Sequence, residues 1–263
     1  MPFPESPRVV YQNNPLVEVI CQIRFPAILR IGSGDVADFQ DKIREDYPLY
    51  QLQEPAFDLP AVPKELSVFF EQMLPKPPGP RTHKFLTRDS RRFISLSQDF
   101  LAVSEANYTK WELFRQEVIN AEKALREVYK PAFYSRIGLR YRDLISPEAL
   151  GLSNVKWSDL LTQYIVAELG DPKLADAISQ IRTRCVIELS EIPGGRVVLT
   201  HGLFKETETA PQGYLIDADF AIEKVEALDE TFNILGKFNR LAGKLFRWAI
   251  TEKLHSAMGP KSV

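Results

Sequence analysis

The chain predicts an α+β fold, with antiparallel sheets covered on one face by long helices. Three observations carry that expectation. Short stretches of alternating apolar and polar residues follow one another across tight turns, and strands joined that way pair antiparallel. Two longer stretches repeat apolar residues every three or four positions, which gives a helix one stripe to bury. The order strand, strand, strand, helix occurs once before residue 150 and once after it. Such an order layers helices against a sheet and suggests two related halves, although the halves share little identity residue by residue.

The first element is LVEVICQIRF, Leu16 to Phe25. Val17, Val19, Cys21, Ile23 and Phe25 alternate with Glu18, Gln22 and Arg24, as in a half-buried strand. In GDVADFQDKIREDYP, Val36, Phe39 and Ile43 recur at helical spacing until Pro48. Residues 53–80 hold seven prolines around an apolar island, Leu66 to Leu74, and read as a surface excursion with a short helix. Strands are expected near His83–Thr87, Arg92–Ser97 and Phe100–Asn107, the last two joined at Gln98-Asp99. Thr109 and Glu112 then have the spacing of a capping box. Behind it Trp111, Phe114, Val118, Ala121, Leu125 and Val128 make one stripe, and Pro131 ends the helix. YSRIGLRYRDLI, Tyr134 to Ile145, is the strand that follows.

The second half opens with a helical stretch near Trp157–Leu169. Strands follow at Ile181–Glu191, Arg196–Leu203 and Tyr214–Phe220, with a hairpin turn at Gly194-Gly195. A long helix is expected from about Glu226 to His255, with Leu228, Phe232, Leu235, Leu241, Leu245 and Trp248 on its apolar side. Gly236 and Gly243 weaken it unless something approaches closely. The organisation is therefore an N-terminal half, 1–150, with the proline-rich excursion, and a C-terminal half, 151–263, ending in a long helix.

Composition bounds the function. The chain has 263 residues, 33 basic against 35 acidic, so any attraction for nucleic acid or anionic lipid must come from a local patch. Neither a signal-like N-terminus nor a long apolar run is seen, and the expectation is a cytoplasmic protein without a membrane span. Cys21 and Cys185 lie in strand-like runs and read as reduced thiols.

Few motifs point to chemistry. GSGDVA, Gly32 to Ala37, fits a dinucleotide-binding pattern, but no parallel strand follows it and Asp35 would oppose the phosphates; a turn before a helix is the simpler account. Asp217 and Asp219 share one side of a strand, the arrangement a metal-dependent nuclease would use, or one that pairs across strands with Arg182 and Arg184. His83, His201 and His255 have no metal-ligand spacing, and no nucleophile elbow, phosphate loop or paired C-x-x-C is present. No catalytic residue, metal ligand or cofactor is assigned.

The notable feature is Arg136, Arg140 and Arg142 on one side of the strand Tyr134–Ile145, with Gly138 between them and Ile137, Leu139 and Tyr141 facing the core. Arg24 joins them if the first strand lies alongside. Either these arginines neutralise Glu18, Asp143 or Glu188 in a charged lattice, or they form a recognition surface.

NPLVEVICQIRF, NYTKWELF and RIGLRYRDLI resemble a sporadically distributed family of uncharacterised prokaryotic proteins. Its members carry an N-P-x-x-E strand, a Y-x-x-W-x-x-F helix start and a G-L-R-Y strand in this order. That family usually has Asn where this chain has Asp143. The patchy distribution implies a mobile accessory or defence-associated gene. Together these features suggest a non-catalytic accessory or regulatory binding protein, with Arg24, Arg136, Arg140 and Arg142 as partner-binding residues. A protein partner is expected, nucleic acid is the alternative, and self-association is left open. The competing expectations are a metal-dependent nuclease and an RNA-binding module.

Overall fold

In the computed structural model, residues 3–53, 81–205, 211–225 and 227–262 are described. The proline-rich excursion, with its expected helix over Leu66–Leu74, lies outside them, as does Glu226. Along the first half run strands β1 (Val9–Tyr11) and β2 (Leu16–Arg24), short helices α1 (Leu29–Gly32) and α2 (Ala37–Ile43), and strands β3 (Leu49–Gln53), β4 (Thr82–Leu86), β5 (Arg92–Ser97) and β6 (Phe100–Glu105). Helix α3 (Trp111–Tyr129) and strand β7 (Tyr134–Ile145) follow. The remainder holds short helices α4 (Trp157–Leu160) and α5 (Gln163–Val166), strands β8 (Arg182–Glu188), β9 (Gly195–Phe204) and β10 (Gly213–Val225), helices α6 (Thr231–Ala249) and α7 (Glu252–Ala257), and strand β11 (Pro260–Ser262).

This is a mixed α+β architecture. Nine strands form one antiparallel sheet in the order β3-β4-β5-β6-β2-β7-β10-β9-β8, and β1 pairs with β11 in a second, two-stranded sheet. Apart from the edge strand β3, the order mirrors itself about the β2–β7 pair. β2 is followed along the chain by the run β4-β5-β6 and lies beside its last member; β7 stands in the same relation to β8-β9-β10. The two leading strands β2 and β7 pair with each other, Cys21 opposite Leu139, so that both parts of the chain contribute to one sheet.

Alternation decides which side each strand buries. Val19, Cys21 and Ile23 on β2, Ile137, Leu139 and Tyr141 on β7, and Ile216, Ala218 and Phe220 on β10 are all buried. Val17 departs from the pattern and is exposed, because the register between β2 and β7 shifts between Leu16 and Glu18. Helices α3 and α6 reach the sheet through specific contacts. Tyr134 donates from its hydroxyl to Glu122 on α3 at 2.5 Å, Tyr141 donates to Asn239 on α6 at 2.9 Å, and the Phe238 ring lies 5.9 Å from that of Phe220.

Several helix boundaries differ from expectation. The stretch Trp157–Leu169 is broken at the extended Leu161 into two four-residue helices and a following 3-10 turn, and the long C-terminal helix starts at Thr231. Helix α3 starts with Lys110, not Thr109, at the capping position, and that position makes no side-chain cap; Glu112 instead pairs with Arg8 of the N-terminal segment. The expected continuous helix to His255 is two. At Ile250 the chain turns extended and bridges to Leu161, and the Thr251 hydroxyl then accepts from the Leu254 backbone N–H to start α7. The consecutive β-branched residues Ile250 and Thr251, followed by Glu252, were the available signal.

Candidate functional site

Strand β7 lies between β2 and β10, and this position sets the surroundings of its three arginines. Arg142 faces Glu18 on one side and Asp217 on the other; Arg140 faces Ile20 and Asp219; Arg136 faces Arg24 and Glu223. Strand register alone would therefore offer Arg140 a carboxylate at Asp219. The guanidinium groups lean along the strand instead. Arg140 makes a two-pronged pair with Asp217, Nε to Oδ1 at 2.7 Å and Nη2 to Oδ2 at 2.5 Å. Arg136 reaches Asp219 with Nη2 at 2.8 and 3.0 Å and donates from Nη1 to Gln22 at 3.0 Å. Arg142 donates to Glu18 at 2.8 Å.

Gly138 makes this lean possible. A Cβ there would sit 2.5 Å from Arg136 Nη1 and 2.9 Å from its Cζ, so the guanidinium lies flat across the glycine on its way to Asp219. The gap left by the missing side chain is thus filled by the neighbouring Arg136 side chain. Arg24 joins the band as expected, opposite Arg136, and pairs with Asp99 at 2.8 Å.

The carboxylate partners differ from those expected. Glu18 holds its arginine, but Asp143 projects to the other side of β7 and pairs with none of the three, and Glu188 lies on β8, beyond β9. Asp217 and Asp219 do not pair with Arg182 and Arg184 either, because β9 separates β8 from β10. The net result is a neutral band: Arg24 with Asp99, Arg136 with Asp219, Arg140 with Asp217, Arg142 with Glu18. It remains accessible, with the Arg140 side chain 42% and the Arg142 side chain 33% exposed. A shallow depression of about 250 Å³ runs along it, lined by Ile20, Gln22, Arg24, Arg136, Arg140 and Asp219.

The other sequence candidates are dispersed. Each histidine bonds through Nδ1 to a tyrosine hydroxyl: His83 to Tyr50 at 2.9 Å, His201 to Tyr214 at 2.7 Å, His255 to Tyr11 at 2.8 Å. Burial lowers the pKa of all three, which favours neutral rings. Among the described residues no three His, Cys, Asp or Glu side chains stand together in a metal-binding group. Asp35 of the glycine-rich segment is held by Arg30 at 2.6 Å, and Gly34 takes the positive φ of a turn. Cys21 is a buried free thiol pushed up to about 12, chiefly by burial.

The sequence did not reveal a second feature, a cavity of about 370 Å³ on the other side of β7. Its walls come from the N-terminal segment, the start of α3 and one face of α6, with Tyr141 and Asp143 from β7 between them. The approach to β2, the start of α3 and strand β7 meet there, through Asn14 just before β2, through Tyr108 and Trp111, and through Tyr141. The Asp143 carboxyl is pushed up to about 7 by burial and by the neighbouring Asp217 charge. Alternation could have placed Asp143 on the Tyr141 side of the strand, but nothing local tells that the N-terminal segment arches over it.

Comparison with known protein families, with curated proteins and with solved structures finds no match for this chain.

Proposed function

We propose that the protein is a non-catalytic accessory or regulatory binding protein whose arginine-bearing sheet face engages a partner protein. The two nineteen-residue helices α3 and α6 then serve to cover the opposite face, leaving the charged one free. One observation carries this proposal: on the central strands β2, β7 and β10 guanidinium and carboxylate groups alternate in an accessible, geometrically fixed band. Such a pattern offers directional hydrogen bonds to a protein segment bearing both signs of charge, and it selects register more than it adds affinity. Its neutrality speaks against phosphate-directed binding, which depends on unbalanced positive charge. The nuclease alternative also loses support, since Asp217 and Asp219 are each held by a guanidinium. The patchy distribution implied by the resemblance fits an accessory role.

Exchanging the charges tests it. Arg140→Asp combined with Asp217→Arg keeps an ion pair while inverting the pattern. The wild-type chain, used as bait in the lysate of its own host, should retain a protein that the exchanged chain, melting at a similar temperature, does not. Equal retention by both chains would rule out this face as the contact surface.

A further inference from the structure

Three features of the cavity behind β7 are left unused by the chain itself. The first is Asp143, whose carboxyl forms no hydrogen bond or ion pair among the described residues. The ionisable groups around it are Tyr141 on its own strand, Asp217 on β10, Tyr11 from the N-terminal segment and Arg247 from α6, with His255 of α7 bonded to Tyr11. Arg247 is itself engaged by Glu252. The second is Gly243, inside the nineteen-residue helix α6 and on the cavity wall. Nothing lies within 4 Å of the place a Cβ would occupy, so no packing contact accounts for a residue that weakens a helix interior. The third is charge at the rim. Arg8 is matched by Glu112 and Lys244 by Glu5, but the exposed Lys110 and Arg240 form no ion pair among the described residues.

The walls between are aromatic: Tyr11, Tyr108, Trp111, Tyr141 and Phe246. A volume of about 370 Å³ is in the range of small-molecule sites, which are typically apolar with a few convergent polar groups. We propose that this cavity binds a small aromatic anion, its ring against the tyrosine walls, its carboxylate or phosphate toward Lys110 and Arg240, and a polar ring atom at Asp143. The proposal is independent of the partner-binding face and does not require it.

Asp143 makes the binding depend on pH. Below its pKa of about 7 the carboxyl is neutral and can donate to a ring nitrogen or accept from a ring N–H; above it the carboxylate repels an anion. Affinity should therefore fall roughly tenfold between pH 6 and pH 8 if only the protonated form binds.

Calorimetric titration with adenosine monophosphate and with indoleacetate tests the proposal and separates phosphate from carboxylate recognition. At least one of these anions should bind at least about tenfold more tightly than its uncharged counterpart, adenosine or indole. Gly243→Leu should abolish the binding without lowering the melting temperature. The double variant Lys110→Ala and Arg240→Ala, both at exposed positions, should weaken it about tenfold or more. Asp143→Asn should bind with little dependence on pH. Absence of binding by both anions at millimolar concentration overturns the proposal, and so does affinity that the rim double variant leaves unchanged.

Discussion

The two sides of strand β7 handle charge in opposite ways. On one side Arg136, Arg140 and Arg142 each find a carboxylate within 2.8 Å, supplied by β2 or β10. On the other, Asp143 stands one residue further along the same strand and pairs with nothing among the described residues. Its pKa moves up to about 7. The difference follows from what lies opposite. The arginine side is a flat array of adjacent strands, where every side chain has neighbours at strand spacing and pairing is geometrically easy. The other side is roofed by the N-terminal segment and α6, which leave a hollow over Asp143. On the arginine side each carboxylate is matched and only the buried Arg142 Nε lacks a hydrogen-bond partner among the described residues. The half-buried Asp143 carboxyl has none and is satisfied only by a proton or by something that enters.

Removing one partner from each side should break this contrast in opposite directions. The largest effect is expected from Arg140→Ala. Asp217 is buried, and losing both of its hydrogen bonds leaves it with only Arg142 at 3.9 Å. Breaking a fully buried pair costs about 3–5 kcal/mol, and the exposure of Arg140 reduces this to roughly 1–3 kcal/mol, measurable by urea unfolding at neutral pH. A loss below about 0.5 kcal/mol would mean that the lattice is merely decorative.

Asp143→Asn should do the reverse and stabilise the fold. The folded-state pKa lies above the ordinary carboxyl value of 3.8, so the folded chain holds its proton more tightly than the unfolded chain. Between those two values wild-type stability declines as pH rises, and above pH 7 the cost of the poorly solvated charge is fully present. The asparagine variant should be the more stable at pH 9, and the gain should vanish as pH falls toward 4. A gain that is the same at both ends of this range would place the carboxyl in solvent.

Gly243→Ala sharpens the contrast on the cavity side. With open space at the Cβ position and a helical backbone, it should stabilise by about 0.5–1 kcal/mol, read as a rise in melting temperature. A loss would show an obstruction at that wall. The smallest effect belongs to the rim of the arginine band. Arg24 and Asp99 are 46% and 32% exposed, and Arg24→Ala should change stability by no more than about 0.5 kcal/mol in a double-mutant cycle with Asp99→Ala.

Local pattern was enough to locate most elements. Alternation marked β2, β7 and β10, and three-four spacing marked α3 with Trp111, Phe114, Val118, Ala121 and Leu125 buried. These signals are legible because a strand or helix on a core must repeat with its own period. The split at Ile250 was missed because helical spacing continues across it, and only the bridge to Leu161 holds the chain extended there. The capping box failed for the complementary reason: Glu112 was claimed by Arg8, 104 residues away in the chain.

The sequence by itself determined that Arg136, Arg140 and Arg142 share a face and that Gly138 separates them, since both follow from a period of two. Tertiary structure alone decided which carboxylates they meet. Strand order brings Asp217, Asp219 and Glu18 beside β7 and keeps Arg182, Arg184 and Glu188 on β8, with β10 and β9 between it and β7. It decided equally that Asp143 lies beneath a hollow, because the N-terminal segment and α6, distant in sequence, converge there. Side-chain direction is a property of one strand, but partnership depends on which strands the whole chain sets next to each other.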